Sequence, residues 1–410
     1  MPFLHFLTDG IRAMLRGSRA YWLWVMSLLA LIALGTYCYG LQLMNGLVVT
    51  GLSDQVSWGF YISNFAFLVG IAAAAVLLVI PAYVHHRQDI KSVVLMGEGL
   101  AVAAVIGAMT FVIVDLGRPD RVWHMIPVLG RFNWPLSTLA WDVVVLSGYL
   151  LLNIAIPMYL LYCHYRGREP NTRAYLPWVL LAILWAISIH TVTAFLFSAN
   201  SARPFWNIAL LAPRFIATAF VSGPALIILV LKALRRVAGF PVSQSVIDTL
   251  ALIMGTALQI SIFFVGAELF TDFYNEGAHS ASLRYLYFGL HGLGNLRPYI
   301  WSALALNLVA VVILSLRRLR TQGRLLNLAC VLAFIGIWLE KGMGTIVPGF
   351  IPTPLGEVFE YTPTAVELGV AAGIWALCAL VFTVLAKAGM AFERGGQHGG
   401  LRHAPPSPAG

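Results

Sequence analysis

The sequence has very little charge. Of its 410 residues only 10% are Asp, Glu, Lys or Arg, whereas 60% are hydrophobic. Soluble domains carry about 25% charged residues, so this composition excludes a soluble fold. The apolar residues occur in continuous runs of around twenty, long enough to cross a bilayer as helices, and they lack the alternation of barrel strands. Because backbone groups in hydrocarbon must bond internally, the sequence predicts an all-α integral membrane protein.

Cysteine is scarce as well, with four widely spaced residues (Cys38, Cys163, Cys330 and Cys378). No CxxC or CxxCH motif occurs, which argues against an iron–sulfur cluster or a c-type haem in this chain. Haem b normally needs paired histidines on facing helices, and of ten histidines only His190 lies clearly inside an apolar run. The phosphate-binding, dinucleotide-binding and nucleophile motifs of soluble enzymes are also missing. We therefore predict that this chain holds no metal and no haem.

Ten apolar segments organise the chain. They cover residues 22–44, 58–84, 92–114, 138–162, 174–197, 208–232, 246–270, 298–316, 324–342 and 364–388. The first segment has no small-residue cleavage signal, so we interpret it as a retained helix rather than a signal peptide. The connection 271–297 contains HSASLRYLYFGLHGLG, which predicts a short interfacial helix. Residues 391–410 are polar with Gly and Pro throughout, which predicts a disordered tail.

The basic residues indicate the orientation of the helices. The net charge of +9 does not predict a nucleic-acid partner, because Lys and Arg lie in short connections between apolar segments. Connections on the side of the N-terminus carry 18 of the 26 basic residues, and those on the opposite side carry seven. The positive-inside rule then predicts cytoplasmic termini, at 1–21 and 391–410, around a membrane domain at 22–390. We expect this domain to span a bacterial inner membrane.

Ionisable side chains within or at the ends of membrane spans are costly, so each is a functional candidate. Most lie toward the predicted outer face, namely Asp115, Asp142, His190, Arg214, Glu268, Asp272, Glu340, Lys341 and Glu367, and only Glu98 and Asp248 lie in the inner half. We interpret Asp272, Glu340 and Lys341 as interfacial groups that reach water. The His190 side chain could hydrogen-bond a neighbouring helix, or it could take part in the function of the protein. Asp115 and Asp142 lie at the ends of adjacent helices and favour the functional interpretation, because together they could relay protons.

Glu98 is a second kind of candidate, because it lies in the inner half of helix three between Gly97 and Gly99. Small neighbours allow another helix to approach closely. A carboxyl group there could be hydrogen-bonded across a tight helix contact, or it could transfer protons. Together with Glu268 it defines a candidate proton route, and both interpretations stay open.

An apolar pocket with an imidazole and carboxylates suits the oxidation of a quinol, which releases two protons and two electrons. His190 can accept a proton near neutral pH, with Asp142 as its partner. Ser57, Tyr61 and Asn64 recur at i, i+4 and i+7 at the start of helix two, and this polar stripe predicts a surface facing the protein interior. The electrons would leave to a centre in another subunit.

Five segments between helices two and seven carry a family resemblance. They are SDQVSWGFYISNFAFLVG (53–70), DLGRPDR (115–121), SIHTVTAFLFS (188–198), NSARPFWNIALLAPRFIATAFVSGPAL (200–226) and GAELFTDFYNEG (266–277). The Trp-Gly pair that opens helix two is the most specific feature. On these residues the chain resembles the NrfD/PsrC family, the quinone-interacting membrane subunits of bacterial respiratory iron–sulfur complexes. It is most similar to the DsrP type of the Dsr transmembrane complex, with Hmc and hydrogenase complexes as alternatives.

The resemblance implies two four-helix bundles, at about 58–197 and 208–342, flanked by helices one and ten. It implies a pocket for menaquinone or ubiquinone in the first bundle at the outer face, involving Ser57, Trp58, Asp115, Arg118, Asp142 and His190. It also implies a periplasmic ferredoxin-like iron–sulfur subunit, a multihaem cytochrome c and further subunits as partners, in dissimilatory sulfur metabolism. A proton-translocating subunit and a passive anchor without a quinone site are the alternative functions.

Overall fold

The computed structural model describes residues 2–73, 75–84, 88–275 and 277–399. These residues contain ten helices long and apolar enough to cross a membrane: helix one Arg19–Asn45, two Phe60–Tyr83, three Gln88–Asp115, four Thr138–Tyr165, five Thr172–Ser198, six Leu211–Ala238, seven Gln244–Asn275, eight Arg297–Ser315, nine Gly323–Phe350 and ten Ala365–Gly399. Each predicted segment corresponds to one helix. The predicted all-α fold with ten spanning helices is confirmed.

The ten helices form two four-helix bundles and one flanking pair. In the first bundle, helix two packs against three and five, and helix four joins three to five. Helices six, seven, eight and nine close a second ring in the same way. Helices one and ten pair with each other, and helix ten packs on helix three. Helix six contacts helices two and five, and the last part of helix nine contacts helix two, so the bundles share a buried interface.

Glycines allow the closest helix contacts. A Cβ atom on Gly35 would lie 2.7 Å from the Cα of Gly373, so helices one and ten touch backbone to backbone. A Cβ on Gly148 in helix four would lie 2.7 Å from the indole of Trp185 in helix five. Small residues at such crossings give membrane helices their packing contacts, because lipid offers no hydrophobic drive for association.

The alternating direction of the helices gives the molecule two faces. We call the face with the N-terminus, where helices one, three, five, seven and nine begin, the basic face. The opposite face, where the even-numbered helices begin, is called the site face. Its connections include the short helix Ala278–Phe288, so the helix expected within 271–297 is confirmed. Which face is periplasmic stays a prediction.

Helix nine differs most from its prediction, because it continues to Phe350 and includes a π-helical segment, Trp338–Met343. Glu340 and Lys341 are consequently buried, so their interpretation as interfacial groups is wrong. The glycines of this segment do not end the helix because protein surrounds it: a Cβ on Gly342 would lie 3.3 Å from the carbonyl oxygen of Ser63. Asp272 is partly buried.

Two smaller boundaries also differ. Helix two begins at Phe60, so Ser57 and Trp58 precede it, although Tyr61 and Asn64 of the expected polar stripe are buried as predicted. Helix ten runs to Gly399, which is nine residues into the segment 391–410 expected to be disordered. Residues 400–410 of that expected tail lie outside the described residues.

Candidate functional site

His190 lies on helix five with its side chain turned into the first bundle. Its residue is 1% exposed, and Thr193, Ala194 and Phe197 at i+3, i+4 and i+7 are buried on the same face. Neither ring nitrogen has a hydrogen-bond partner in the described part of the chain. A buried polar group without a partner costs about 1–3 kcal/mol, and such groups are rare enough to need an explanation.

Asp142 lies in the second turn of helix four and is also 1% exposed. The Thr193 hydroxyl donates to its Oδ1 at 2.8 Å. Its other oxygen, Oδ2, is buried without a partner among the described residues. Since Thr193 lies one turn from His190, this hydrogen bond fixes the carboxylate against the same stretch of helix five. The structure therefore places Asp142 beside the helical turn that carries His190.

Lys341 brings a buried amine to this region from helix nine. It is 2% exposed, its Nζ donates to the Phe215 carbonyl oxygen at 3.4 Å, and it lies 4.4 Å from the centroid of the Phe215 ring. Within the described residues no carboxylate lies within 4 Å of it, and it interacts electrostatically with His190. An ammonium group over the face of an aromatic ring is attracted by the ring, so it is partly stabilised without a counter-ion. Lys341 is therefore a buried amine held against helix six, close enough to His190 to act on it electrostatically.

Four aromatic rings pack together between His190 and the site face. Trp58 packs 5.7 Å from Trp206, 5.7 Å from Phe197 and 5.9 Å from Phe350, measured between ring centroids. Trp206 is held in place because its indole N–H donates to the Thr345 carbonyl at 2.7 Å. Phe197 lies two turns beyond His190, about 10 Å along the helix. We call Trp58, Phe197, Trp206 and Phe350 the aromatic cluster.

The glycine of the Trp-Gly pair has a steric explanation. A Cβ on Gly59 would lie 2.3 Å from the ring of Tyr361, so a larger residue would displace the tyrosine. The Tyr361 hydroxyl accepts the Phe60 N–H at 2.8 Å and donates to the buried Glu367. Burial and the negative charge of Glu367 raise the pKa of Tyr361 above its ordinary value. The motif thus fixes the start of helix two and, with it, the neighbouring Trp58.

The remaining residues expected in the pocket lie elsewhere. Asp115 ends helix three with Oδ1 buried and without a described partner, and it interacts electrostatically with Tyr61 and Glu367 of helices two and ten. Ser57 is exposed. Arg118 is exposed and pairs with Asp120 through two hydrogen bonds of 3.0 and 2.9 Å. This pairing raises the pKa of Arg118 and lowers that of Asp120.

Glu98 lies in the half of the first bundle nearer the basic face. It is buried and borders a cavity of about 10 Å³ together with Tyr149 and Asn153. A cavity of this size holds about one water molecule. Helix two approaches closely here, because a Cβ on Gly97 would lie 2.7 Å from the Leu78 side chain. The close approach expected from the glycines is therefore present, whereas a proton-transfer role stays a prediction.

The second bundle contains a separate cluster of charges. Arg214 of helix six donates to Glu268 of helix seven and, at 3.1 Å, to Glu340 of helix nine. The Asn307 side-chain amide donates to the other oxygen of Glu340 at 2.9 Å. All four side chains are buried. We call them the Arg214 cluster; Glu268, predicted as part of a proton route, is an ion-pair partner within it.

Comparison with known families decides the class of this fold. The model of the NrfD family, described as polysulphide reductase, NrfD, matches residues 48–343. The chain belongs to the NrfD family. As a family member with ten spanning helices, it is a multi-pass integral membrane protein. The matched range begins just before the Trp-Gly pair and ends at Met343, so it contains His190, Asp142, Lys341 and the Arg214 cluster.

Three curated relatives of this NrfD-family chain are membrane components of oxidoreductases. A Halobacterium salinarum protein described as a dimethyl sulfoxide reductase membrane subunit is 26% identical, over 88% of each chain. The Hdr-like menaquinol oxidoreductase integral membrane subunit of Archaeoglobus fulgidus is 26% identical, over 90% of this chain and 92% of the relative. The menaquinone reductase integral membrane subunit of Nitratidesulfovibrio vulgaris is 22% identical, over 89% and 90%.

Sequence reasoning named His190 and Asp142 as candidates but not the side chains around them. Thr193 lies in the segment SIHTVTAFLFS, and its spacing of three from His190 signals a shared helix face. Lys341 was assigned to water because it ends the ninth apolar segment. Among the described residues no three His, Cys, Asp or Glu side chains are grouped to hold a metal. The expectation of no metal and no haem stays a prediction.

Proposed function

We propose that this chain is the quinone-reactive membrane subunit of a respiratory complex, exchanging electrons between the menaquinone pool and an iron–sulfur subunit. The observation that carries the proposal is that the His190 ring and Asp142 Oδ2, both buried in the first bundle and connected through Thr193, have no partner within the described chain. Two relatives named for menaquinol or menaquinone favour that quinone over ubiquinone.

The buried groups fit a quinol as substrate. Each hydroxyl of a quinol can donate and accept one hydrogen bond, and His190 together with Asp142 offers three atoms that lack a partner among the described residues. The aromatic cluster offers apolar surface toward the site face, which suits a ring that enters from lipid. An apolar site is specific for a ligand that bonds its buried polar atoms, because a buried polar atom left without a hydrogen bond costs free energy.

The chain's own residues would divide the work of proton removal. A bound quinol supplies two electrons and two protons. Neutral His190 accepts a proton from a hydroxyl at one ring nitrogen. Asp142, oriented through Oδ1 by Thr193, accepts a proton at Oδ2 or stabilises the imidazolium. Lys341, whose amine donates to the Phe215 carbonyl oxygen, would favour loss of the quinol proton when it carries its own proton. The two electrons pass to the iron–sulfur centre of a partner subunit, which acts as the oxidant.

The setting of this reaction is part of the proposal. We infer that the site face is periplasmic and that both termini are cytoplasmic, because the basic residues are concentrated on the N-terminal side. A ferredoxin-like iron–sulfur subunit would then bind the site face, with a multihaem cytochrome c and further subunits completing a DsrP-type complex of sulfur metabolism in the inner membrane. The relatives support a complex, since each is named as a subunit.

The test uses His190→Gln and Asp142→Asn in the assembled complex, with a soluble naphthoquinol as electron donor. Loss of a general base lowers rates by about 10²–10⁴-fold, and we expect losses in this range for each variant, with unchanged assembly. Matched controls are His164→Gln and Asp248→Asn, because both residues are exposed at the basic-face ends of helices four and seven. Wild-type rates for both site variants would contradict the proposal and favour a passive anchor.

Proton translocation is a second candidate function, and the small cavity beside Glu98 favours it. A carboxyl group bordering room for one water can exchange protons along a bundle. We expect Glu98→Gln to lower the number of protons released per electron while quinol oxidation continues, if this role holds. The measurement is proton release by reconstituted vesicles during turnover. An unchanged ratio at an unchanged rate would leave Glu98 with a structural role.

A further inference from the structure

The helix that precedes the membrane domain, Pro2–Leu15, has one side docked on the protein. Phe6 and Gly10 are buried. The Phe6 ring stacks on Phe392 of helix ten at 4.6 Å and meets Tyr162 of helix four at 5.5 Å, edge to face. The Tyr165 hydroxyl of helix four donates to Asp9 at 2.9 Å. These contacts hold the helix across the basic-face ends of helices four and ten.

A second side of this helix is apolar but uncovered. Leu4, Leu7, Ile11 and Leu15 recur at helical spacing and are between 37% and 61% exposed. We call them the leucine stripe. At 100° per residue the stripe lies beside the docked side and occupies about a quarter of the helix circumference. None of the contacts that dock the helix involves it.

The third side is polar and basic. His5, Thr8 and Arg12 lie on this side, Arg16 follows the end of the helix, and all four are exposed. The helix therefore has a docked side, an apolar side and a polar side. A helix lying in a membrane interface can meet protein, hydrocarbon and water on three such sides.

The short connection to helix one limits how far the N-terminal helix can lie from the membrane surface. Only residues 16–18 separate Leu15 from Arg19, where helix one begins, and the Ser18 hydroxyl caps helix one by accepting the Tyr21 N–H. Three residues span at most about 10 Å. The Tyr21 hydroxyl also donates to the Met14 carbonyl at 2.8 Å. The end of the N-terminal helix thus lies where helix one leaves the bilayer.

We propose that the N-terminal helix is an interfacial helix whose leucine stripe inserts into the leaflet at the basic face, with Arg12, Arg16 and Arg19 binding acidic phospholipid headgroups. The continuity with helix one and the basic charge beside the stripe assign this occupant rather than another protein. Basic residues near an anionic membrane surface are attracted to it. The proposal is independent of what the site in the first bundle binds.

The experiment places a photoreactive benzoylphenylalanine at Leu7 or Ile11 in the complete complex, in native membranes. Matched controls carry it at Thr8 or His5, on the polar side of the same helix. After irradiation, the mass of the adduct identifies what each position touched. We expect phospholipid adducts from Leu7 and Ile11, at least tenfold more than from the controls. A predominant crosslink to a protein chain at Leu7 and Ile11, or equal lipid yields at all four positions, would overturn the proposal.

The headgroups on the crosslinked lipid test the basic residues. We expect phosphatidylglycerol or cardiolipin to be enriched at least threefold over their share of the membrane. The double variant Arg12→Gln, Arg16→Gln should remove this enrichment while the lipid adducts themselves remain. Enrichment that is absent in the wild type, or that persists in the double variant, would overturn the recognition of acidic headgroups.

Discussion

In the second bundle, Arg214 contacts two carboxylates, and Asn307 donates to one of them. In the first bundle, the ring nitrogens of His190 and one oxygen of Asp142 have no partner among the described residues. Both groups of side chains are buried, and helix nine carries residues that interact with each of them. Glu340 bonds the Arg214 cluster, whereas the adjacent Lys341 bonds Phe215 of helix six and interacts electrostatically with His190.

The difference separates a structural charge cluster from a site with capacity for a ligand. A buried ion pair holds together because each charge offsets the desolvation of the other. Buried polar atoms without partners lower the stability of the fold. The second bundle also has such atoms, Ser261 Oγ and Asn307 Oδ1, but within the described chain the titratable side chains with unpartnered buried atoms all lie in the first bundle, so we expect the chemistry there.

The largest effect should come from breaking the Arg214 cluster. Arg214→Met leaves Glu268 and Glu340 buried without their cation, and removing one partner of a buried pair costs roughly 3–5 kcal/mol. We expect a large drop in the thermal unfolding temperature in detergent and poor assembly. The triple variant with Glu268→Gln and Glu340→Gln should recover most of the stability, because no charge is then left unpaired. A stable single variant would show that the cluster is not structural.

Replacing Lys341 should have the opposite consequence. Lys341→Met keeps an unbranched side chain, one atom shorter, and removes a buried amine that has no carboxylate within 4 Å in the described chain, so we expect stability to be equal or higher. Quinol oxidation should fall about 10- to 100-fold, equivalent to roughly 1.4–2.7 kcal/mol of barrier. Thermal unfolding and turnover are measured on the same preparation. A stability loss like that of Arg214→Met would place Lys341 with the structural charges.

A smaller effect should follow from loosening Asp142. Thr193→Val removes the hydroxyl that donates to Oδ1 at 2.8 Å and keeps the shape of the side chain. A hydrogen bond to a charged group contributes about 1.5–3 kcal/mol, so we expect a loss of turnover of about tenfold. The control is Thr191→Val, since the Thr191 hydroxyl bonds the Ile187 carbonyl of its own helix. Equal rates for the two variants would show that Thr193 does not position Asp142.

The smallest effect is expected at Arg118, which was predicted to belong to the pocket. Because it is exposed and paired with Asp120, Arg118→Gln should keep turnover within twofold at pH 7. The pairing lowers the pKa of Asp120, so its contribution to loop stability is present above the unfolded pKa of about 3.9 and is lost as pH falls through the folded value. Any stability difference between wild type and variant should therefore vanish in acid. A large loss of turnover would show that Arg118 does belong to the site.

Much of the candidate site could be predicted, but not its immediate surroundings. His190 and Asp142 stood out because a titratable residue inside a span is rare and costly. Arg118 and Ser57 entered through family resemblance and lie exposed, since a shared motif records a position along the chain and not its burial. Lys341 was misplaced because it ends the ninth apolar segment, and a charged group at the end of a span usually reaches water. Contacts with protein accompany the continuation of helix nine to Phe350 and bury the residue.

The number and alternating direction of the spanning helices were determined by the sequence alone. A bilayer requires about twenty apolar residues for each crossing, and this requirement is local, so hydropathy reveals it without knowledge of any contact. Which buried polar side chains are paired was decided only by the tertiary structure. Asp142 meets Thr193 and Arg214 meets Glu340 across 51 and 126 residues of chain, and such meetings depend on how the helices pack, because no local pattern encodes the face that a neighbouring helix presents.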